Sequence, residues 1–368
     1  MTWRIEKRPA TLAPVPVWAF PAALGFAIAA GAVIFMALGV NPITAYGVML
    51  KGAFGSFFHF SEVVVRAIPL MLTGLAVALA ATMLLWNIGC EGQLVWGGIC
   101  AAGTGLFLAP HLPPFLVIPA TIAAGAAGGA LWALIPGVLK AFLAVNEILS
   151  SLLLNYIAII FMEHLYFGPW RNPEGYGFPG TAQLAEAARV PHFFGTRIHL
   201  GLVLALIIAV ILFGALRYTR WGFRVRAIGL NQRAARYAGF KIKGQIIAVM
   251  LLSGALAGIA GMAEVSGIHF RLQQGLAVGY GYDGIIVAWL ARLNPLAVPL
   301  MALLLGALIV GGEQLQAVLH LPASISMVLE AVLLFGLLLS EALARYRLVR
   351  RSAADSNAMP GKLSLIHI

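Results

Sequence analysis

The chain has 368 residues, 61% of them hydrophobic and only 10% charged, with a mean hydropathy of +0.94 and a formal net charge of +11. A water-soluble fold of this composition would lack the polar surface needed to cover its exterior, which excludes a soluble globular protein. Only Cys90 and Cys100 occur, ten apart and without a CxxC pairing, so neither a disulfide framework nor a cysteine zinc site is supported.

Apolar runs of about 20 residues, enough to cross roughly 30 Å of hydrocarbon as helices, recur along the whole chain. The basic start MTWRIEKRP precedes an apolar run too long for a signal peptide and without a small-residue cleavage site, so residues 18–40 are read as a retained first span, leaving the bilayer at Asn41-Pro42. A partly polar segment to Glu62 lies at the interface. Further spans are expected over residues 63–86, 94–109, 115–134 (rich in Gly and Ala, which lets backbones approach closely) and 148–167. A long loop of mixed charge covers residues 168–199. The sixth span, residues 200–216, runs into a basic loop, and spans at 246–265, 284–291 (short), 296–310 and 325–339 complete about ten. The expected fold is therefore all-α and polytopic. Residues 1–345 form one transmembrane domain that includes the loop 217–244, and residues 346–368 form a basic tail.

Charge sets the orientation. If the N-terminus is cytoplasmic, only Lys51, Arg66, Arg171, Arg189, Arg197 and Arg271 of the 24 Lys and Arg residues fall outside, so both termini are expected in the cytoplasm. An internal repeat is also visible. MLTGLAVALA, from Met71, parallels LLSGALAGIA, from Leu251, and Ile118-Pro119 parallels Val298-Pro299 at the same offset of 180 residues. EGQLVWG, from Glu91, echoes DGIIVAW, from Asp283. The two copies start on opposite sides, so they are expected to be inverted repeats with a translocation path at their interface.

The loop 217–243 carries eight basic residues, and no Asp or Glu occurs between residues 187 and 263. Within it, NQRAARYAGF reads as a short helix with Asn231 as N-cap and Gly239 as its left-handed stop. The loop is either a structured knob that docks a partner or simply a topology signal and anionic-lipid contact. NIGCEGQ, residues 87–93, interrupts an apolar stretch with Asn87, Glu91 and Gln93. Burying an ionisable group at depth costs about 2.5–3.5 kcal/mol, so this is either a broken-helix junction that lines the path or contacts a partner, or a solvated turn. Asn155, deep in the fifth span, needs a partner on another helix or faces the path. Glu147 is read as reaching from a span end, and Glu264 and Glu313 as solvated helix ends. The candidate path residues are Asn87, Glu91, Asn155 and Asp283. There is no GxxxxGK[ST] phosphate loop, no HExxH, no ligand-spaced histidine set and no histidine opposite Ser253, so the chain carries no catalytic, cofactor or metal site of these kinds.

WNIGCEGQL, LLNYIA (from Leu153), RAIGLNQRAARYAGFKI and GYGYDGIIVAWLARLNPLAV (from Gly279) together resemble the permease subunits of ATP-binding cassette (ABC) importers in the branched-chain amino acid and simple sugar group, most closely the nucleoside or simple sugar branch. The resemblance covers roughly residues 37–347, and Cys90 stands where the family motif usually has a small residue such as Ala. It implies two membrane subunits, identical or homologous, two cytoplasmic ATPase subunits, an external binding lipoprotein and a small-molecule solute, in a multi-pass protein of the inner membrane with lipid around it and no nucleic acid. It also implies that Asn231, Arg233, Ala234, Ala235, Arg236, Ala238 and Gly239 form the coupling helix. The small alanines would let the helix sit close in an ATPase groove, and the arginines would pair with acids there. An ion-gradient-driven transporter, or the same importer type serving branched-chain amino acids, is the alternative. The last residues, GKLSLIHI, look like adapter read-through and are set aside.

Overall fold

A computed structural model describes residues 2–7, 19–175, 177–322, 324–344 and 346–351. The tail from residue 352, with its non-native stretch expected from about 359, lies outside the described residues, as does residue 18 at the start of the first expected span.

Helices dominate. They are α1 (Ala19–Ala37), α2 (Pro42–Phe54), α3 (Phe57–Thr82), α4 (Cys90–Gly103), α5 (Pro114–Leu143), α6 (Glu147–Phe167), α7 (Leu200–Tyr218), α8 (Arg220–Leu230), α9 (Gln232–Tyr237), α10 (Ile242–Glu264), α11 (Tyr280–Leu290), α12 (Val298–Leu319) and α13 (Ser324–Ala344). Short wide (π) turns prolong α4 through Leu108 and α10 through His269. Seven helical stretches are long and apolar enough to cross a bilayer singly, α1 with α2 supplies one more as a bent pair, and the apolar part of α13 is shorter. The eighth expected span differs most: α11 has 11 residues, about 16 Å, roughly half the hydrocarbon thickness. The large apolar residues left exposed, among them Phe115, Leu153, Ile160 and Val210, are what a lipid-facing surface requires.

The chain divides into two compact units. In the terminal unit, residues 1–45 and 327–368, α1 packs on α13. Gly336 lies against Ala23 and Phe26, the Phe26 and Phe335 rings are 6.0 Å apart, and Leu329, Leu333 and Leu337 form the buried edge of α13. In the same unit β1 (Thr2–Lys7) pairs antiparallel with β2 (Tyr346–Arg351), a short ladder that hydropathy gives no sign of.

The central unit, residues 46–326, is built on the repeat. The series α3, α4, α5 corresponds to α10, α11, α12: a long helix, a short helix with an acid in its first turn, and a helix with proline near its start. Packing is exchanged between the copies. α3 lies against α11 and α12, while α10 lies against α4 and α5. The equivalent glycines show it, since a Cβ on Gly74 would meet Val287 and Val298, and one on Gly254 would meet Gly129 and Ala133. At the α5–α10 crossing a Cβ on Gly258 would sit 2.1 Å from the Gly125 carbonyl oxygen, so only glycine lets these backbones touch.

Candidate functional site

Two features carry the functional reading: a buried polar junction where the repeats meet, and the basic loop. At the junction α3 stops at Thr82 and the chain crosses to α4 with Leu84 in a left-handed conformation. Asn87, Glu91, Gln93 and Asn155 are each no more than 2% exposed. The Asn87 and Gln93 amides donate to each other at 2.8 Å, and Asn87 Nδ2 also donates to Ser253 Oγ at 2.8 Å. The Ser253 hydroxyl donates to the Ala76 carbonyl at 2.7 Å. Thr73, 180 residues before Ser253, likewise donates to the Tyr280 carbonyl at 2.9 Å. Thr73 thus ties α3 to the start of α11, while Ser253 ties α10 to α3 and to the segment that leads into α4.

The starts of both short helices hold amide N–H groups that no residue of the same helix can accept. Asn155 Oδ1, from α6, accepts from Gly92 N at 2.9 Å, while its amide donates to the Ile88 carbonyl and the Tyr282 hydroxyl, both at 3.0 Å. The Glu91 carboxylate accepts from Gly279 N at 2.9 Å and from Gly281 N at 2.6 Å, an acid placed at the positive end of α11. Of the two readings left open for segment 87–93, the structure has the broken-helix junction: Asn87 is bonded to Gln93 and Ser253, Glu91 to backbone amides at the start of α11, and Asn155 to Gly92, Ile88 and Tyr282. Their hydrogen-bonding capacity is consumed internally, the state buried polar groups require. Asp283 differs, being half-buried, with no hydrogen-bonded or ion-paired partner for its carboxylate among the described residues.

Glu313 and Glu147 pair with basic residues, Glu313 remaining exposed to solvent, whereas Glu264 is buried. Arg66 bridges Glu313 at 2.6 Å and Tyr280 Oη at 2.9 Å, linking α3 to α12 and α11. Arg197 forks onto Glu62, its Nε donating at 3.0 Å. Glu264 is buried 3.7 Å from His269 beside a cavity of about 270 Å3 that also receives Arg66, Arg197 and Arg271. Glu147, at the start of α6, pairs with Lys140 at 2.6 Å. His199, packed against Gly267, caps α7 by accepting from Gly201 N at 3.2 Å, and burial together with His192 pushes its pKa down to about 4.

The basic loop is α8 and α9. Thr219 caps α8 by accepting from Gly222 N at 3.0 Å, and Asn231 Oδ1 caps α9 by accepting from Arg233 N and Ala234 N, both at 3.0 Å. The helix closes as read: Gly239 has φ +80°, its N–H reaches the Arg236 carbonyl, and Phe240 N–H reaches the Ala235 carbonyl. Arg233, Ala234, Arg236 and Ala238 are exposed, but Ala235 is 4% exposed. Ala235 therefore faces its own chain and leaves the outward role to its neighbours. Sequence reading passed over the two most prominent side chains here, Leu230 at 87% and Tyr237 at 94% exposure. Their signal was an apolar residue on each flank of a polar helix.

A polytopic bundle of two matching halves, crossed at a buried polar junction and carrying a structured basic loop without a nucleotide-binding motif, is the membrane subunit of a transporter. Residues 59–338 match the family model described as branched-chain amino acid transport system / permease component, and the chain belongs to that family. It is 37% identical over 332 residues to a glucose ABC transporter permease protein of Haloferax volcanii, covering 87% of each chain. It is 34% identical to a guanosine ABC transporter permease protein of Bacillus subtilis (84% of this chain, 89% of the relative) and 30% identical to a nucleoside ABC transporter permease protein of Lactococcus lactis (85% and 88%). The chain is thus the permease subunit of an ABC importer, a multi-pass inner-membrane protein that works with a separate ATPase and a binding protein and is not itself an enzyme.

Proposed function

We propose that this permease imports nucleosides or simple sugars delivered by an external binding lipoprotein, paired with a second permease copy or homologue, with both termini in the cytoplasm. The relatives' names, glucose, guanosine and nucleoside, support the solute class. The branched-chain amino acid alternative has only the family description behind it, and the ion-gradient alternative does not fit an ABC family. The observation that carries the coupling mechanism is α9, capped at both ends, ending on exposed Tyr237, preceded by exposed Leu230 and free of acidic residues.

In this reading α9 inserts into a groove on the ATPase, Arg233 and Arg236 meet acids at its rim, and closure of the ATPase dimer pushes α9 against α8 and α10. The buried junction passes that motion on as a unit. Asn155 locks α6 to α4, Glu91 locks α4 to α11, and Ser253 locks α10 to α3. Inverted repeats related in this way can rock against each other around a central path. Asp283, whose carboxylate is uncommitted, is the path residue we favour. Asn87, Glu91 and Asn155 support the path from behind.

The test is uptake by proteoliposomes holding the permease, its ATPase and its binding lipoprotein. Labelled guanosine or glucose should accumulate only with ATP inside, and collapsing ion gradients should leave uptake unchanged. Uptake of leucine alone, or uptake driven by a gradient without ATP, would overturn the reading.

A further inference from the structure

The outward face of α7 reads as a lipid-facing strip that ends on charge. Val203, Leu206, Ile207, Val210 and Ile211 are exposed at helical spacing, opposite the buried Ala205, Ala209 and Leu212. One turn further along the same face is Gly214, where an added Cβ would touch nothing within 4 Å, and after it come Arg217 and Tyr218. The chain then turns at Thr219 into α8, and α7, α8 and Phe240 border an open cleft of about 450 Å3.

Arg217, Arg220, Arg224 and Arg226 line that cleft with Tyr218, Phe223 and Phe240. Arg226 is committed, since its guanidinium donates to the Leu216 carbonyl. The other three are exposed and form no ion pair among the described residues, and no Asp or Glu occurs between residues 187 and 263 to supply one. Aromatic rings hold the walls. Arg217 lies 5.8 Å from the Phe213 ring centroid, Phe213 meets Tyr218 edge-on at 6.2 Å, and Phe223 meets Phe240 edge-on at 6.3 Å. Three uncompensated guanidinium groups around one concavity repel each other and favour an anion between them, and their planar forks suit phosphate oxygens.

We propose that this cleft is a binding site for an anionic phospholipid, with the headgroup phosphate held by Arg217, Arg220 and Arg224 and an acyl chain lying along the exposed face of α7 past Gly214. The apolar strip leading into the cleft argues for lipid over soluble phosphate. Tyr218 is an amphipathic aromatic residue of the kind found at headgroup depth. The ATPase is the less suitable occupant, because the exposed apolar side chains suited to a protein groove, Leu230 at the end of α8 and Tyr237 in α9, do not line the cleft. A lipid seated here bridges α7 and α8, one of the two elements against which α9 would be pushed, so the anionic lipid content of the membrane would tune coupling. The inference needs a membrane-spanning permease and does not depend on which solute it carries.

Native mass spectrometry of the full chain, delipidated in detergent and titrated with phosphatidylglycerol or phosphatidylcholine, tests it. One phosphatidylglycerol should bind at least tenfold more tightly than phosphatidylcholine. At about fivefold per arginine near an anionic lipid, the R217Q/R220Q/R224Q variant should weaken that binding about a hundredfold, and R217K/R220K/R224K, which keeps the charge without the fork, should lose clearly less than that. If the triple glutamine variant does not fold, R220Q and R224Q singly should each show the roughly fivefold loss. K241Q/K243Q removes charge from the same loop outside the cleft and should change little. An equal loss per charge in that variant would overturn the site, as would displacement of the lipid by millimolar inorganic phosphate. Loss of ATPase affinity with lipid binding intact would assign the cleft to the partner and also overturn it.

Discussion

Replacing Leu230 and Tyr237 with alanine should uncouple the permease from its ATPase without loosening the permease itself. In the free chain the two side chains are 87% and 94% exposed, so truncating them removes almost no internal packing. If α9 enters a groove, nearly all of that surface leaves water on docking. Burying a leucine side chain is worth about 1.5–3 kcal/mol, and an interfacial tyrosine at a hot spot about 2 kcal/mol or more. The pair therefore contributes about 4 kcal/mol, roughly a thousandfold in affinity. The measurement is ATPase binding to the permease in nanodiscs by interferometry, with stimulated hydrolysis followed alongside and the melting temperature of the permease alone as control. Unchanged affinity would refute a docking role for α9, and a lower melting temperature would show that the exposure argument is wrong. Ala235→Glu cannot stand in for this test, because it places a carboxylate in a site 4% exposed and costs folding energy in its own right.

Asn155→Leu leaves the Gly92 amide, the Ile88 carbonyl and the Tyr282 hydroxyl without their shared partner, and should destabilise the chain by about 2–4 kcal/mol in denaturant titration, against about 1 kcal/mol for Tyr282→Phe. Gly258→Ala should cost about 3 kcal/mol or more because its Cβ would meet backbone, whereas Gly244→Ala in the same helix, with open space around it, should stabilise by about 0.5–1 kcal/mol; similar effects would contradict the close crossing. His199 is held neutral down to about pH 4 when folded and titrates near 6.5 when unfolded. Protons therefore favour the unfolded chain between those values, so stability present above pH 6.5 is lost as the pH falls towards 4, by about 2 kcal/mol at pH 5. His199→Asn, which can still cap α7, should shrink the difference in melting temperature between pH 7 and pH 5, and an unchanged difference would count against the buried neutral ring.

Much of this architecture could be read in advance because bilayer thickness imposes a length on every span and charge imposes a side. The cap and stop of α9 were equally legible, since Asn231 and Gly239 act over a few residues. Separations of more than a hundred residues defeated the reading elsewhere. Nothing local tells that Arg66 will meet Glu313, that Glu91 will accept from Gly279 and Gly281, or that Arg197 will fork onto Glu62. Polarity marked Asn87, Glu91 and Asn155 as functional positions. A polar residue in an apolar span announces that it needs a partner, and whether the partner is a solute or another helix is decided by tertiary packing. For Ala235 the reason is finer, because a six-residue helix has too few turns for periodicity to tell its inner face from its outer one.

The exchanged packing of the repeats also bears on how the chain is made. In α3, 94% of the most apolar stretch is buried, and much of what covers it, α10, α11 and α12, is encoded far downstream. At ~5–20 residues per second of synthesis, the roughly 200 residues separating α3 from α12 take on the order of 10–40 s to appear. Through that interval α3 sits in the insertion machinery or in lipid with Gly74 lacking the Val287 and Val298 side chains that close over it. Neither half can mature before the other arrives, so quality control has one late moment at which to judge the whole molecule, and the two halves supplied as separate polypeptides would each present an unfinished surface to the membrane proteases.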